Sequence, residues 1–591
     1  MYSIKKKLTA LTAALLCFIL LAAGCAAPAA GSNAKAGGFQ EIKDELFKEA
    51  VSSDAISAHY LLKNPGEYGV KLENYTFGRI SAEDSEASVS EAKALIGELK
   101  AIDDNTLSDD DKLTKEILID SLERSIPLNE HVLLQEPVNP LSGQQAMLPI
   151  LLNEYTFYNE EDISHYLELL EDTGEYFESI LSFEQEKAKA GTFMTEEILD
   201  KVLAQCKSFA EAPENNLMIT TFEGKLDREL PGLDAAAKKD AIEKNREAVI
   251  SCVIPAYENL AEGLEALRGS CSKNGSLSSF DGGKEYYAAL VRDNTGTDMT
   301  PEELSAFIEE KMQEALTEMA MIAMTSPETV RAVYSNQATE NFGTPEEILS
   351  QLQTLIKEDF PAAADVSYEV KYVDEALRDY LSPAFYLTPP IDGFKENTIY
   401  INGEQGEEVK NIDNIFTTLA HEGFPGHLYQ TTYFLSTGPD KLRSVLNYSG
   451  YTEGWATYIE LLSYDWAYED EKTAAFLKAN QKLSLLLSAR IDIGVHHEGW
   501  SVKEVGDYML NQGFSNDEAV VSQLYDIILQ SPGNYLSYAV GGEMFKELRD
   551  KAEEALGTKF NASEFHRFLL DFGPASFTVI EKHLDNWIKE Q

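Results

Sequence analysis

The segment from His421 to His427, HEGFPGH, places the strongest constraint on how this chain can fold, because it puts a proline and a glycine between two histidines. Residues six apart on an unbroken α-helix lie about 240° apart around its axis, since each residue turns about 100°. Pro425 has no N–H and its ring would press on the carbonyl of His421, while Gly426 accepts backbone angles closed to other residues. We therefore predict a helix break here, which would allow the two imidazoles to converge.

The residue types in this segment also point to a metal. The segment resembles the zinc-peptidase signature HExxH with two residues inserted before the second histidine. Neutral imidazoles bind Zn²⁺ well, and a carboxylate beside them can take a proton from water whose pKa the ion lowers to about 7. We therefore predict that His421 and His427 bind one zinc ion and that Glu422 is the general base. The competing interpretation is a histidine pair that only satisfies a buried helix junction.

A third ligand is expected on another helix, and the run YTEGWATYIE supplies two glutamates. Glu453 follows His427 by 26 residues and is our predicted ligand. Glu460 lies two turns further along the same face; it either binds the metal instead or orients a ligand histidine from outside the coordination shell. Imidazole and carboxylate ligands suit zinc best but also admit manganese, cobalt or iron.

The resemblance to a known family extends well beyond this site. The chain resembles the bacterial family called domain of unknown function 885, whose members carry HExxPGH followed by EGWAxYxE. The segments PPIDGFKENTIYING, DIGVHHEGWS, SPGNYLSYAVGGEMFKELRDKA and FHRFLLDFGPASFTVIEKHLDNWI fit that family's pattern, so the resemblance covers essentially the whole mature chain. That family resembles the gluzincin metallopeptidases, which implies peptide hydrolysis. It also implies a mainly α, multi-helix fold with a small β-sheet beside the active-site helix and a deep cleft between two lobes.

Peptide cleavage builds negative charge on the carbonyl oxygen, so a hydrogen-bond donor besides the metal is expected. Tyr538, in the run PGNYLSYAVGG, is our first candidate, because gluzincin-like enzymes often bring a tyrosine to the cleft at this place. His496 is the second; it neighbours His497, and adjacent side chains diverge on a helix, so at most one of them is expected to face the site. A structural role is the alternative for each candidate. Arg490 could meet a substrate carboxylate, although a helix-face ion pair is the more common use of such an arginine.

Residues 397–402, NTIYIN, form a short β-favouring run in a chain otherwise rich in helical patterns. We predict a strand there. It could be an edge strand that pairs with a substrate backbone, or an ordinary strand within a small sheet.

The N-terminus has the features of a lipoprotein signal peptide. Three lysines precede an apolar stretch from Leu8 to Ala23, which ends in Ala-Gly-Cys25. We expect residues 1–24 to be removed, Cys25 to carry the lipid, and residues 25–40 to be a flexible tether. This would hold the protein by its lipid anchor at the extracytoplasmic face of the cell membrane. An ordinary secretory signal cleaved nearby is the alternative.

Charge excludes one class of partner. Without the predicted signal peptide the chain has 46 basic and 100 acidic side chains, a formal charge of −54. Nucleic acids are bound by basic patches, so a nucleic-acid partner is not expected. Acidity of this kind also repels anionic lipid headgroups, so membrane attachment would depend on the acyl chain.

The remaining sequence, residues 41–591, is interpreted as one catalytic unit with two lobes, because no Pro-, Gly- or Ser-rich linker divides it. Amphipathic helices are indicated by apolar residues three and four apart, and one helix should start at Thr300, before Pro301 and Glu303. The sequence thus predicts a zinc-dependent peptidase that acts on a peptide substrate. The alternatives are a lipid-anchored peptide-binding protein without catalysis and a metal-dependent amidase that acts on cell-wall material.

Overall fold

The computed structural model describes residues 38–72, 74–335, 342–373, 378, 383–403 and 415–591. The predicted signal peptide and Cys25 lie outside the described residues. Residues 404–414, just before Ile415, also lie outside them.

The described residues are mainly helical, which confirms the predicted class of fold. The helices are α1 Phe39–Val51, α2 Ala55–Leu61, α3 Ala82–Ala101, α4 Asp109–Glu130, α5 Gln144–Glu154, α6 Glu161–Ala190, α7 Glu196–Ala210, α8 Leu217–Thr220, α9 Phe222–Glu229, α10 Ala235–Ala248, α11 Ile254–Ala266, α12 Gly283–Thr295, α13 Pro301–Thr325, α14 Pro327–Tyr334, α15 Pro345–Leu355, α16 Ile415–Glu422, α17 His427–Ser436, α18 Ser449–Ala467, α19 Glu471–Ile493, α20 Val502–Asn511, α21 Glu518–Gln530, α22 Asn534–Leu556, α23 Ala562–Phe572 and α24 Phe577–Glu590. The strands are β1 Ser367–Tyr372, β2 Ala384–Leu387 and β3 Glu396–Ile401.

Local side-chain contacts explain where several helices begin. The predicted start at Thr300 is confirmed, because its hydroxyl accepts the N–H of Glu303 while the carboxylate of Glu303 accepts the N–H of Thr300. This reciprocal pair is a capping box, and Pro301 occupies the first helical position, where no N–H is needed. Helices α15 and α20 also begin with a capping box.

The three strands form one small mixed sheet in the order β1-β3-β2. Strand β1 pairs with β3 in parallel, and β2 pairs with β3 in antiparallel orientation. The predicted strand at NTIYIN is therefore confirmed as β3, but it is the central strand, and the suggestion that it forms an edge was wrong. Strand β2 occupies an edge instead, and it contacts α16.

The buried apolar residues form three large clusters among the described residues. One lies among the N-terminal helices and includes Leu169, Phe177 and Tyr257. A second joins α12 and α13 to α19–α22. The third joins the sheet to α15–α18 and α22–α24, so α16 and α17 are packed on several sides. No helix among the described residues is long and apolar enough to cross a membrane.

Helices α18 and α22 approach each other closely through three glycines. A Cβ added at Gly541 would lie 2.3 Å from the carbonyl oxygen of Gly450 and 2.7 Å from the Cα of Gly454. Such distances do not occur between real Cβ atoms and backbone. Glycine at these positions therefore brings the two backbones into direct contact.

Replacing Gly541 by alanine should push α18 and α22 apart. We expect the free energy of unfolding to fall by about 1–3 kcal/mol, the usual cost of overpacking, measured by chemical denaturation. The matched control is Gly97→Ala inside α3, where an added Cβ has no atom within 4 Å. This control should raise the stability by up to about 1 kcal/mol, because alanine favours the helix. Equal effects of the two substitutions would contradict the close helix contact.

Candidate metal centre

The helix break predicted at HEGFPGH is confirmed. Helix α16 ends at Glu422, and α17 begins at His427. In the intervening turn, the N–H of Gly426 donates to the carbonyl of Ala420 at 2.9 Å. A Cβ on Gly426 would lie 1.8 Å from the carbonyl oxygen of His421, so only glycine fits at this point of the turn. The chain folds back tightly on the end of α16.

Helix α18 fixes this turn from the other side. The indole Nε1–H of Trp455 donates to the carbonyl oxygen of Pro425 at 2.8 Å, and its side chain is fully buried. In the first turn of α17, the N–H of Gln430 donates a hydrogen bond to the carbonyl of Gly426 at 2.8 Å. The turn is thus tied to the helix that carries the predicted third ligand.

The turn brings the three predicted ligands together. His421, His427 and Glu453 each offer a ligand atom, and these atoms all lie within 4.8 Å of one another. Oε2 of Glu453 lies 3.6 Å from Nε2 of each histidine. All three side chains are buried, Glu453 to 1% exposure.

These distances suit a small cation better than hydrogen bonds. A separation of 3.6 Å is too long for an N–H···O hydrogen bond. Among the described residues, neither carboxylate oxygen of Glu453 has a hydrogen-bond partner. Two ligand atoms bound tetrahedrally at about 2.1 Å from one ion would be about 3.4 Å apart. The donor set therefore fits zinc in residue type, and the two distances to Glu453 fit it in spacing.

Glu460 lies on the other side of the first histidine. Its Oε2 is 3.3 Å from Nδ1 of His421, and its Oε1 accepts a hydrogen bond from Nε2 of Gln481 at 2.9 Å. A proton held on Nδ1 by this carboxylate leaves Nε2 of His421 free of hydrogen and directed at Glu453. Of the two roles open for Glu460, the geometry favours orientation of His421.

The local electrostatics favour a cation. Burial alone would raise the pKa of Glu453, but His427 and His421 lower it to about 2. Burial alone would lower the pKa of His421, but Glu453 and Glu460 raise it well above its ordinary value. With Glu422, three carboxylates surround two imidazoles. Buried charge needs compensation, and a divalent cation would supply it.

Glu422 is held at the edge of the sheet. Its Oε2 accepts the backbone N–H of Tyr386 in β2 at 2.9 Å, and the residue is 6% exposed. Burial raises the pKa of Glu422, partly offset by the two histidines. The Tyr386 hydroxyl in turn donates to Oδ1 of Asn397 in β3 at 2.7 Å. The sheet therefore fixes the carboxylate that the sequence marks as the base.

Tyr538 lies beside the cluster, on α22. Its ring is nearly parallel to that of His421, with centroids 6.4 Å apart and planes 15° apart. The close contact between α18 and α22 accounts for this position, because Gly454 follows Glu453 directly and Gly541 lies one turn after Tyr538. The structure thus places the first oxyanion candidate at the site.

The second oxyanion candidate requires a correction. His496 is fully buried; its Nδ1 accepts the N–H of Leu277 at 3.3 Å, and its Nε2 donates to the carbonyl of Ile528 at 2.9 Å. Burial lowers its pKa to about 4. Both ring nitrogens are therefore engaged by backbone groups, and His496 has no donor left for an oxyanion.

Arg490 forms ion pairs, the more common use of an arginine on a helix. Its Nε pairs with Glu309 at 2.8 Å and its Nη2 with Glu498 at 3.0 Å, and the guanidinium lies over the ring of Trp500. These contacts hold α19 to its neighbours.

Three contacting residues escaped the sequence analysis. Trp455 stands inside the EGWA segment, so that motif contained a signal for it. Gln481 and Tyr386 act through α19 and β2, and no spacing within the sequence connects them with the histidines. Only the folded chain reveals these two.

Comparisons with known proteins agree with this architecture. The model of one family, described as bacterial protein of unknown function (DUF885), matches residues 66–584. A provisionally named lipoprotein from Colwellia psychrerythraea has the same fold, with a TM-score of 0.81 and 19% identity, covering 94% of this chain and 100% of that one. A second, a lipoprotein of unknown function from Shewanella oneidensis, also provisionally named, has a TM-score of 0.58 and 15% identity, covering 93% and 100%.

Two further comparisons add no argument. An oligoendopeptidase F from Bacillus anthracis, named provisionally, aligns over 87% of this chain and 97% of that one at 13% identity, but its TM-score of 0.29 is too low to show a shared fold. The comparison with curated proteins found no match.

Alanine at Gly426 should disrupt the turn, because the three backbone atoms nearest its Cβ lie within 2.4 Å and cannot move independently. We expect a loss of at least about 3 kcal/mol in the free energy of unfolding, the upper end of the usual overpacking cost. Gly174→Ala inside α6, with open space around the added Cβ, is the control. Wild-type stability of Gly426→Ala would show that the turn is not built as described.

Proposed function

We propose that this chain, which belongs to the DUF885 family of bacterial proteins of unknown function, is a zinc-dependent peptidase. The observation that carries the proposal is the convergence of His421, His427 and Glu453 within 4.8 Å beside the buried carboxylate of Glu422. Two imidazoles, one carboxylate ligand and an adjacent base are the groups that hydrolysis of an amide by activated water requires.

The ligand assignment follows from which atoms face one another. His421 and His427 would hold the ion through Nε2 and Glu453 through its carboxylate, with Glu460 keeping the proton of His421 on Nδ1. When bound, Zn²⁺ lowers the pKa of a coordinated water and polarises a substrate carbonyl.

Glu422 carries the proton transfers. Its carboxylate accepts a proton from the attacking water and later gives it to the nitrogen of the leaving amine. The N–H of Tyr386 holds one oxygen of this carboxylate in place. Because this N–H belongs to the backbone of the sheet, the orientation of the carboxylate does not depend on a mobile side chain. Burial raises the pKa of Glu422, which makes it a stronger base than an exposed glutamate.

Tyr538 supplies the donor for the developing oxyanion. Its ring is buried and lies nearly parallel to that of His421, a proposed ligand, so Tyr538 stands beside the proposed metal site. A donor held in position before the reaction contributes more than one that must reorient, since a buried site screens charge weakly.

The location of the activity is part of the proposal. The lipid attached at Cys25 would hold the catalytic unit at the extracytoplasmic face of the cell membrane. Two solved proteins of the same fold are named as lipoproteins, which supports this placement.

The chain from residue 25 onward, loaded with zinc, should cleave members of an unbiased peptide library, and a chelator should abolish cleavage. Glu422→Gln should retain zinc and lose about 10²–10⁴-fold in kcat, because glutamine can still accept the Tyr386 N–H but cannot take a proton. Zinc content by elemental analysis and turnover are measured on the same samples. The control is Glu471→Gln, an exposed acid at the start of α19.

The outcomes separate the alternatives. Peptides that bind without being cut would indicate the lipid-anchored binding protein. Cleavage of cell-wall fragments but not of peptides would indicate the amidase. Full turnover in Glu422→Gln would exclude the proposed role of Glu422.

The ligand assignment predicts graded losses of zinc affinity. Glu453→Ala and His427→Ala should remove stoichiometric zinc, whereas Glu460→Ala should weaken binding by about 10–100-fold, the usual effect of losing an orienting carboxylate. Asp465→Ala on the same helix breaks an ion pair with Lys478 and should leave the zinc affinity unchanged. Zinc affinity is measured by competition with a coloured chelator. Tighter retention in Glu453→Ala than in Glu460→Ala would reverse the two assignments.

A further inference from the structure

The segment DIGVHHEGWS lies outside the metal centre, yet two of its polar side chains are completely buried. Asp492 ends α19 next to Ile493, and His496 lies in the π-helix Gly494–Glu498 that follows. Their contacts are directed at the loop and helix that lead to Tyr538.

Asp492 caps a helix from another part of the chain. Each of its two carboxylate oxygens accepts the backbone N–H of Gly533 at 3.0 Å, and Oδ1 also accepts the hydroxyl of Tyr287 at 2.5 Å. Gly533 is the N-cap residue of α22, with a φ of 77° that glycine adopts without strain. The carboxylate thus lies at the positive end of the helix dipole of α22.

His496 contacts the end of α21, the helix that precedes α22 in the chain. Its Nε2–H donates to the carbonyl of Ile528, near the end of α21, and its Nδ1 accepts the N–H of Leu277. The chain between Ile528 and Gly533 is therefore held at both ends by residues of the DIGVHHEGWS segment.

The position of Tyr538 depends on where α22 begins. Tyr538 follows Gly533 by five residues, which corresponds to about 7.5 Å along the helix axis at 1.5 Å per residue. Its ring lies parallel to that of His421 with centroids 6.4 Å apart. A displacement of the first turn of α22 would move this ring with it.

The capping carboxylate costs free energy that an apolar side chain would not. Tyr287 and Gly533 donate to this carboxylate, but both are neutral and only partly offset its burial, which raises the pKa of Asp492 to about 7. A group that is expensive to bury and directed at one backbone N–H is better explained by placement than by stability.

We propose that Asp492, supported by Tyr287, is a positioning residue that fixes the first turns of α22 and thereby places Tyr538 beside His421. The kinetic part of this inference rests on the proposed peptidase function. The structural part does not.

The test combines local and kinetic measurements on the full mature chain. Asp492→Asn should raise amide hydrogen exchange at residues 534–540 by at least tenfold while leaving α18 unchanged. A 3-fluorotyrosine at position 538 should show a shifted and broadened ¹⁹F resonance in the same variant. Tyr287→Phe, which removes only a hydroxyl, should produce smaller changes in the same direction and serves if Asp492→Asn does not fold. Asp517→Asn, at the exposed N-cap of α21, is the matched control.

The kinetic arm is a double-mutant cycle with Tyr538→Phe. Asp492→Asn should lower kcat about tenfold with KM unchanged, and should have less than a twofold effect once the Tyr538 hydroxyl is gone, because it acts through that group. Independent, multiplying losses would overturn the inference, and so would unchanged exchange at residues 534–540. If the wild-type chain shows no peptidase activity, the proposed function fails, but exchange and the ¹⁹F resonance still decide whether Asp492 positions Tyr538.

Discussion

The close return of the backbone at Gly426 is the constraint on which the rest of the site depends. The N–H of this residue bonds to the carbonyl of Ala420, and no side chain would fit between the turn and the end of α16. This return cancels the rotation that six helical residues would impose, so the rings of His421 and His427 approach to 4.8 Å between centroids. Trp455 then fixes the turn to α18. A local backbone feature thus decides the geometry of a centre built from three helices.

A second close approach, between α18 and α22, completes the site. Gly454 and Gly541 have no side chains to separate the helices where they meet. Glu453 and Tyr538, the long side chains near these glycines, both lie close to His421. Helix α19 supports both sides of this arrangement. Gln481 holds the carboxylate that orients His421, while Asp492, at its end, caps α22. The small residues at the helix contact and the polar contacts behind the site therefore have one common effect: they place Glu453 and Tyr538 beside His421.

The sequence predicted those features that local chemistry determines. The proline and glycine that stand together at Pro425 and Gly426 favour a break in a helix, so the turn before His427 could be foreseen, and the capping residues marked Thr300 as a helix start. Strand pairing depends on partners distant in sequence, which is why β3 was recognised as a strand but not as the central one. A buried histidine bonded to backbone has the same sequence signature as one in an active site, so His496 was misjudged. The role of Gln481 could not be predicted either, because its partner Glu460 lies on another helix.

The composition of the cluster bears on which of the possible functions it serves. Structural zinc sites are usually closed by four protein ligands, often cysteines, whereas catalytic sites keep three protein ligands and a position open to water or substrate. Among the described residues, the group able to hold a metal has three members, none of them a cysteine. A structural or purely binding site would also gain nothing from Glu422, since a further buried carboxylate adds a desolvation cost. The N–H of Tyr386 holds this carboxylate beside the proposed ligands, which favours chemistry on a bound substrate over simple capture.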